Sequence, residues 1–206
     1  CFGFTPDGAG YKTPHGVEFN PEKARALLAQ AGFPGGKGFP RLELMTTSRE
    51  VQKTMAEAIQ GMWKKHLGVH VDIRSCEWTA YKFAQNSMQY DFSSSSWSGD
   101  YLDPSSFLDL WSSASGNNNT GWSRPEYERL LAESRATGDQ EKRMALLARA
   151  EALMLSESPV IPLYWARRSY LKRPEVRGWH PLLLDNHLFE DISLGAPREQ
   201  GKEAAP

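Results

Sequence analysis

Residues 93–104 read SSSSWSGDYLDP. Four hydroxyls run into Trp97, Gly99 releases the chain, and Asp100 sets a carboxylate on the turn that follows. Such a segment suits one of two chemistries. The first is nucleophilic: one of Ser93 to Ser96 would attack a carbonyl, which requires a base. The sequence has five histidines, His15, His66, His70, His180 and His187. None lies near the serines, and no GxSxG elbow is present to expose a serine on a strained strand-to-helix turn. A serine hydrolase therefore stands only as the alternative reading. The second chemistry is non-covalent. Small serines on a strand let another backbone approach and pair with main-chain groups. Trp97 offers a wall or stacking face, and Asp100 can receive a ligand ammonium in a charge-assisted hydrogen bond. Asp100 can equally close an Asx-turn, the commoner role for an aspartate beside a glycine. Residue types alone leave both roles standing.

The other reactive groupings are weaker. His66 and His70 are four apart, but Gly68 interrupts the helix that would align them, and no CxxC or Cys/His ligand spacing occurs. No metal site and no other cofactor is expected. Cys1 and Cys76 cannot build a disulfide framework. Arg167, Arg168, Lys172 and Arg173 read as charges guarding a strand edge.

Composition narrows the class. The chain has 24 basic and 25 acidic side chains, net −1, so no cationic excess draws it to nucleic acid or to an anionic membrane surface. Hydrophobic residues at 40% and charged residues at 24% are those of a soluble globular protein. Aromatics at 11% suit either a filled core or a stacking surface. Cys1, with no methionine before it, reads either as a lipid-bearing mature terminus or as the start of a piece of a longer chain.

These side chains must be positioned by a small set of elements. FNPEKARALLAQAGF predicts a helix capped by Asn20, opened by Pro21 and ended by Gly32, with Ala24, Leu27, Leu28 and Ala31 as its apolar stripe. RLELMTT alternates as a strand. Residues 49–67 predict a helix whose buried face carries Val51, Met55, Ala58, Ile59 and Met62, stopped by Gly68. VHVDIRS predicts a strand with Val69, Val71 and Ile73 inward and His70 outward. A short helix over 79–87 and a weak strand over 90–97 follow. A helical turn is expected over 104–111, then a polar loop, then helices over 124–136, capped by Ser123, and 139–157. Residues 160–173 read as strand, bend, strand, and the tail from 195 as disordered. Strands alternating with helices give an α/β fold.

Five segments in order, FNPEKARALLAQAGF, MAEAIQGMWKKHLGVHVDI, EWTAYKFAQNSMQYDFSSSSWSGDYLDPSSFL, NNTGWSRPEYERLLAES and ALLARAEALMLSESPVIPLYW, resemble the C-terminal part of the family 5 extracellular solute-binding proteins, the oligopeptide and dipeptide receptors of bacterial ABC importers. The resemblance runs from about residue 5 to 194. It implies one lobe of a type II periplasmic-binding-protein (flytrap) fold, a mixed sheet flanked by helices, with a C-terminal return segment. Residues 1–178 would form the second major lobe, 179–194 the return towards a first lobe, and 195–206 the tail. The residues after Cys1 resemble the interior loop before the NPEKA helix, which favours the start of a piece of a longer chain over a lipid-bearing terminus. The implied function is non-catalytic: a peptide or similar small solute held between two lobes, outside the cytoplasmic membrane and possibly with a lipid anchor in a full-length parent, and delivered to permease subunits. In peptide-binding relatives the aspartate of the W-x-x-D-Y loop receives the peptide's α-amino group, a role that falls on Asp100. Trp97, Ser98, Ser96 and Tyr101 complete the expected site, with Trp122 and Tyr164 as further cleft walls. An arginine that anchors carboxylates in an oligopeptide-binding member is replaced here by Ser94. The family also serves nickel complexes, oligosaccharides and opines. A lobe acting alone as an interaction module is the remaining alternative.

Overall fold

The computed structural model describes residues 3–166, 169–182 and 187–195. Helix α1, Pro21–Gln30, begins where the sequence places it. The Asn20 side chain accepts from the Lys23 amide at 2.9 Å, and Pro21 occupies the first turn, where its missing N–H costs nothing. Strand β1 (Leu42–Thr47), helix α2 (Glu50–Leu67) and strand β2 (Val71–Cys76) follow as one β–α–β unit. Gly68 ends α2 in the left-handed conformation, and its amide donates to the Lys64 carbonyl. Helix α3 (Trp78–Asn86) leads to the two-residue strand β3, Phe92–Ser93.

The sheet order is β2-β1-β3, with both pairings parallel. A central parallel strand is covered on both faces, and β1 shows why alternation alone does not describe it. Leu44 packs with Ala56 of α2, Val69 and Val71, whereas its neighbour Met45 packs with Tyr81 and Ala84 of α3. An antiparallel pair, β4 (Val176–Arg177) with β5 (Ser193–Leu194), stands apart from this sheet.

The second half is helical. Helix α4 (Ser105–Leu108) runs into a 3-10 turn at Asp109–Trp111, and α5 (Pro125–Ala136) and α6 (Gln140–Glu157) form a hairpin. Its core gathers Leu108, Tyr127, Leu131, Leu147 and Met154, and the Tyr127 hydroxyl donates to the Leu108 carbonyl at 2.7 Å. The segment before α1 docks here through a buried acid. Glu151 has no solvent exposure, and it accepts from the amides of Phe4 (2.8 Å) and Thr5 (3.2 Å) and from the Tyr11 hydroxyl (2.7 Å). Burial, with the Glu151 charge beside it, pushes the Tyr11 phenol well above its ordinary range, so the hydroxyl stays a donor.

Several expectations are corrected. The buried face of α2 is built on Ala56, Ile59, Trp63 and Leu67, not on Val51 and Met62, which are 72% and 44% exposed. Trp63 decides the rotation, because its ring packs 5.1 Å from Phe92 of the sheet. In α1, Leu28 packs against the sheet core while Leu27 is exposed. Arg124, not Ser123, is the cap position of α5; Pro125 starts that helix without a side-chain cap. Strand β3 is shorter than 90–97, because its ladder with β1 ends after Phe92–Ser93 and one further bond from the Ser94 amide. Among the described residues of 160–173 there is no strand: no sheet edge pairs with them, and Ile161, Leu163, Tyr164 and Trp165 are exposed. Cys1, Arg167, Arg168 and the tail beyond Gly195 lie outside the described residues.

The two halves are clamped across the chain by Asp103 and Arg143. The guanidinium of Arg143, on α6, meets both carboxylate oxygens of Asp103 at 2.7 Å, and both side chains are largely buried. Burial alone would raise the Asp103 carboxyl, but Arg143 and the two donors of Ser105 outweigh it and hold the pKa at about 2. A carboxyl depressed in the folded state stabilises it fully above its unfolded value near 3.8, and that stability is lost as pH falls towards 2. The shift corresponds to about 2 kcal/mol. Urea unfolding of the wild type should lose that amount between pH 5 and about pH 2, and Arg143→Met should flatten this limb of the profile. Glu151→Leu strands three donors and should cost roughly 3 kcal/mol or more. Glu151→Gln keeps an acceptor for the two amides and should cost less in the same assay.

Candidate ligand-binding site

The site forms where β3 gives way to α4. Beyond Ser93 the chain makes one more ladder bond, Ser94 amide to Met45 carbonyl at 2.9 Å, and then leaves the sheet. The Tyr81 hydroxyl holds that exit from beneath: it donates to the Ser94 carbonyl at 2.5 Å and sits 3.0 Å from the Ser93 hydroxyl. Gln85 donates to Tyr81 at 3.2 Å. The Ser94 hydroxyl turns to Gln52 on α2 at 3.4 Å.

The turn itself is built by groups around Asp100. The Trp97 indole N–H donates to the Ser106 carbonyl at 2.8 Å, and the Asp100 amide donates to the Ser106 hydroxyl at 2.6 Å. Gly99 is needed for close approach. A Cβ there would come within 2.8 Å of the Phe107 ring. The Asx-turn expected as one reading of Asp100 belongs instead to Asp103, whose carboxylate accepts from the Ser105 amide at 2.9 Å and from its hydroxyl at 2.7 Å. The Asp100 carboxylate is exposed and accepts no hydrogen bond and no ion pair among the described residues. Tyr101 is 47% exposed, and its hydroxyl lies 3.3 Å from that of Ser105.

Trp97, Asp100, Tyr101, Ser105 and Ser106 line a shallow pocket of about 140 Å³. Three of the five expected site residues thus meet at one pocket. Ser96 and Ser98 are exposed on the approach to it and do not line it. Trp122 is not a wall of this site: it packs edge-on against Tyr127 in the hairpin core and donates to Glu157 at 2.8 Å. Tyr164 is exposed in the extended segment after α6. Sequence reasoning missed Ser106, which supplies both contacts that shape the turn, and Arg143, which restrains it from 40 residues away. The D-P-S-S run after the turn is the one local signal for Ser106, because Asp103 and the serines form a helix-start pattern.

Chemically, the pocket offers an unpartnered carboxylate between two aromatic faces. That is a site for a cation with an adjoining apolar or main-chain body. Of the four serines, Ser93 meets Tyr81 and Gln85, and Ser94 meets Gln52. Among the described residues no three His, Cys, Asp or Glu side chains converge as metal ligands, and no described helix is long and apolar enough to cross a membrane.

Comparison with known proteins fits this geometry. The oligopeptide-binding protein OppA of Bacillus subtilis is 33% identical over 177 residues, covering 85% of this chain and 32% of that protein. The periplasmic murein peptide-binding protein MppA of Escherichia coli is 33% identical over 177 residues, covering 86% and 33%. A probable deoxycholate-binding periplasmic protein of Escherichia coli, YgiS, is 35% identical over 156 residues, covering 76% and 29%. The chain spans about a third of the length of these relatives. Among solved structures, a periplasmic oligopeptide-binding protein from Borrelia burgdorferi superposes with a TM-score of 0.85 at 33% identity, over 94% of this chain and 40% of that one. The murein tripeptide-binding protein MppA of Escherichia coli gives 0.82 at 29%, over 94% and 39%. The family model for the middle region of the bacterial extracellular solute-binding proteins, family 5, matches residues 2–119. The family-model match and these relatives establish that the chain belongs to the bacterial extracellular solute-binding proteins, family 5.

Proposed function

We propose that this chain is the second major lobe of the substrate-binding component of an ABC importer and that it takes the amino end of a peptide at Asp100. The observation that carries the proposal is the Asp100 carboxylate, without a partner among the described residues, in a pocket also lined by Trp97 and Tyr101. In open α/β sheets ligands sit beyond the carboxyl ends of the strands, and Asp100 lies seven residues past the end of β3. A peptide bound there has its ammonium on Asp100, its first residue against Trp97, and its backbone along the exposed 96–98 segment. Main-chain pairing with that segment reads no side chain, so such a site holds many sequences and fixes their direction. With Ser94 bound to Gln52, the far carboxylate of the peptide finds no arginine at that position.

The remainder of the proposal concerns the whole receptor. Residues 1–178 form the ligand-binding lobe, and 179–194 return towards a first lobe that completes the cleft. Hinge closure traps the solute, and the closed form delivers it to permease subunits from the periplasmic or extracellular side. The protein binds and does no covalent chemistry. The names of the relatives, two for peptides and one for a bile acid, support an organic solute of this size.

Calorimetry on a receptor in which this chain is joined to its first lobe tests the assignment. Asp100→Asn should weaken a short peptide with a free amino terminus by about 2–5 kcal/mol, the cost of breaking a desolvated charge pair. The N-acetylated peptide should bind both proteins equally. Equal losses for the two peptides would remove the ammonium role from Asp100.

A further inference from the structure

A larger groove lies at the opposite end of the sheet. It has a volume of about 430 Å³ and is bounded by the last turns of α2, the loop of residues 34–39 and the amino-terminal ends of β1 and β2. Pockets for small organic ligands begin at about this size. Its walls are fixed by backbone contact. Gly36 and Gly68 both have positive φ, and a Cβ on Gly36 would fall 2.5 Å from the Gly68 carbonyl oxygen. The Gln60 amide is pinned to the Val71 carbonyl at 2.7 Å, so the floor is fixed as well.

The chemistry of the lining is unequal in charge. Arg41 binds Asp72 through Nε and Nη2 and neutralises it, leaving Nη1 unused by that pair. Lys64 forms no ion pair among the described residues. Lys64, Lys65 and His66 in the last turn of α2 offset the partial negative charge of that helix end. Between Lys64 and the apolar ring of Phe39, Gly61 leaves a bare stretch of helix, with nothing within 4 Å of where a Cβ would stand. One uncompensated cation, one guanidinium edge, an aromatic wall and a flat glycine shelf match an amphiphilic anion.

We infer that this groove is a second binding site, for a small aromatic or alicyclic carboxylate whose anionic group meets Lys64 and Arg41 and whose apolar body lies on Gly61 against Phe39. It is independent of the Asp100 pocket.

The probe is 1-naphthoate, titrated into the full chain and followed by amide chemical shifts. Saturable shifts are expected at Phe39, Gly61 and Lys64, with the neutral isostere 1-naphthalenemethanol binding about tenfold or more weakly. Lys64→Gln should weaken 1-naphthoate by about tenfold. Gly61→Leu should abolish the shifts while raising the melting temperature, because leucine is the better helix former. Asp100→Asn should change nothing. Absence of saturable shifts in the wild type, binding that survives both Lys64→Gln and Gly61→Leu, or binding lost in Asp100→Asn would each overturn the inference. None of these outcomes bears on the peptide assignment, which is read at Asp100 with a different ligand.

Discussion

The Asp103–Arg143 pair is the contact on which the arrangement of this protein turns. The chain builds its core in two parts, one on the two faces of the sheet against α2 and α3 and one inside the α5–α6 hairpin. The segment that passes from one to the other is the loop that carries the candidate site. A surface ion pair would do little to restrain it. This one is bidentate and largely buried, and Asp103 also accepts two bonds from Ser105. The guanidinium therefore sets where α4 starts, and Ser106 on α4 in turn sets Trp97 and the Asp100 backbone. Asp100 is left with its amide held and its carboxylate outward, which is the geometry a ligand cation requires.

A second buried acid acts on the other end of the chain in the same way. Glu151 lies inside the hairpin core without a cation beside it among the described residues, and three donors take the place of one. Burying a charge is tolerable only when its lone pairs are met. The donors come from residues 4, 5 and 11, so an otherwise irregular segment acquires a fixed path over α6, and Gly3 is required because a side chain there would strike the carboxylate. Both halves of the molecule thus use a carboxylate to bind loop backbone to helix. The candidate ligand carboxylate at Asp100 differs in that nothing among the described residues satisfies it.

The family was legible in the residues, and so was the stretch that holds the candidate pocket. Asn20, Pro21 and Gly32 mark α1, Gly68 ends α2, and the W-x-x-D-Y run carries the site, because caps, turns and motifs are local and depend on neighbours in sequence. What was misread depends on partners far away. The face of α2 turned on Trp63 meeting Phe92, and the expected strands after residue 160 had no edge to join among the described residues. By itself, then, the sequence determined the order of elements up to α6, the approximate helix boundaries and the residues of the candidate pocket at Trp97, Asp100 and Tyr101. Only the tertiary structure decided which carboxylate is consumed by the scaffold and which is left without a partner among the described residues, because that choice depends on a guanidinium 40 residues away that no local pattern announces.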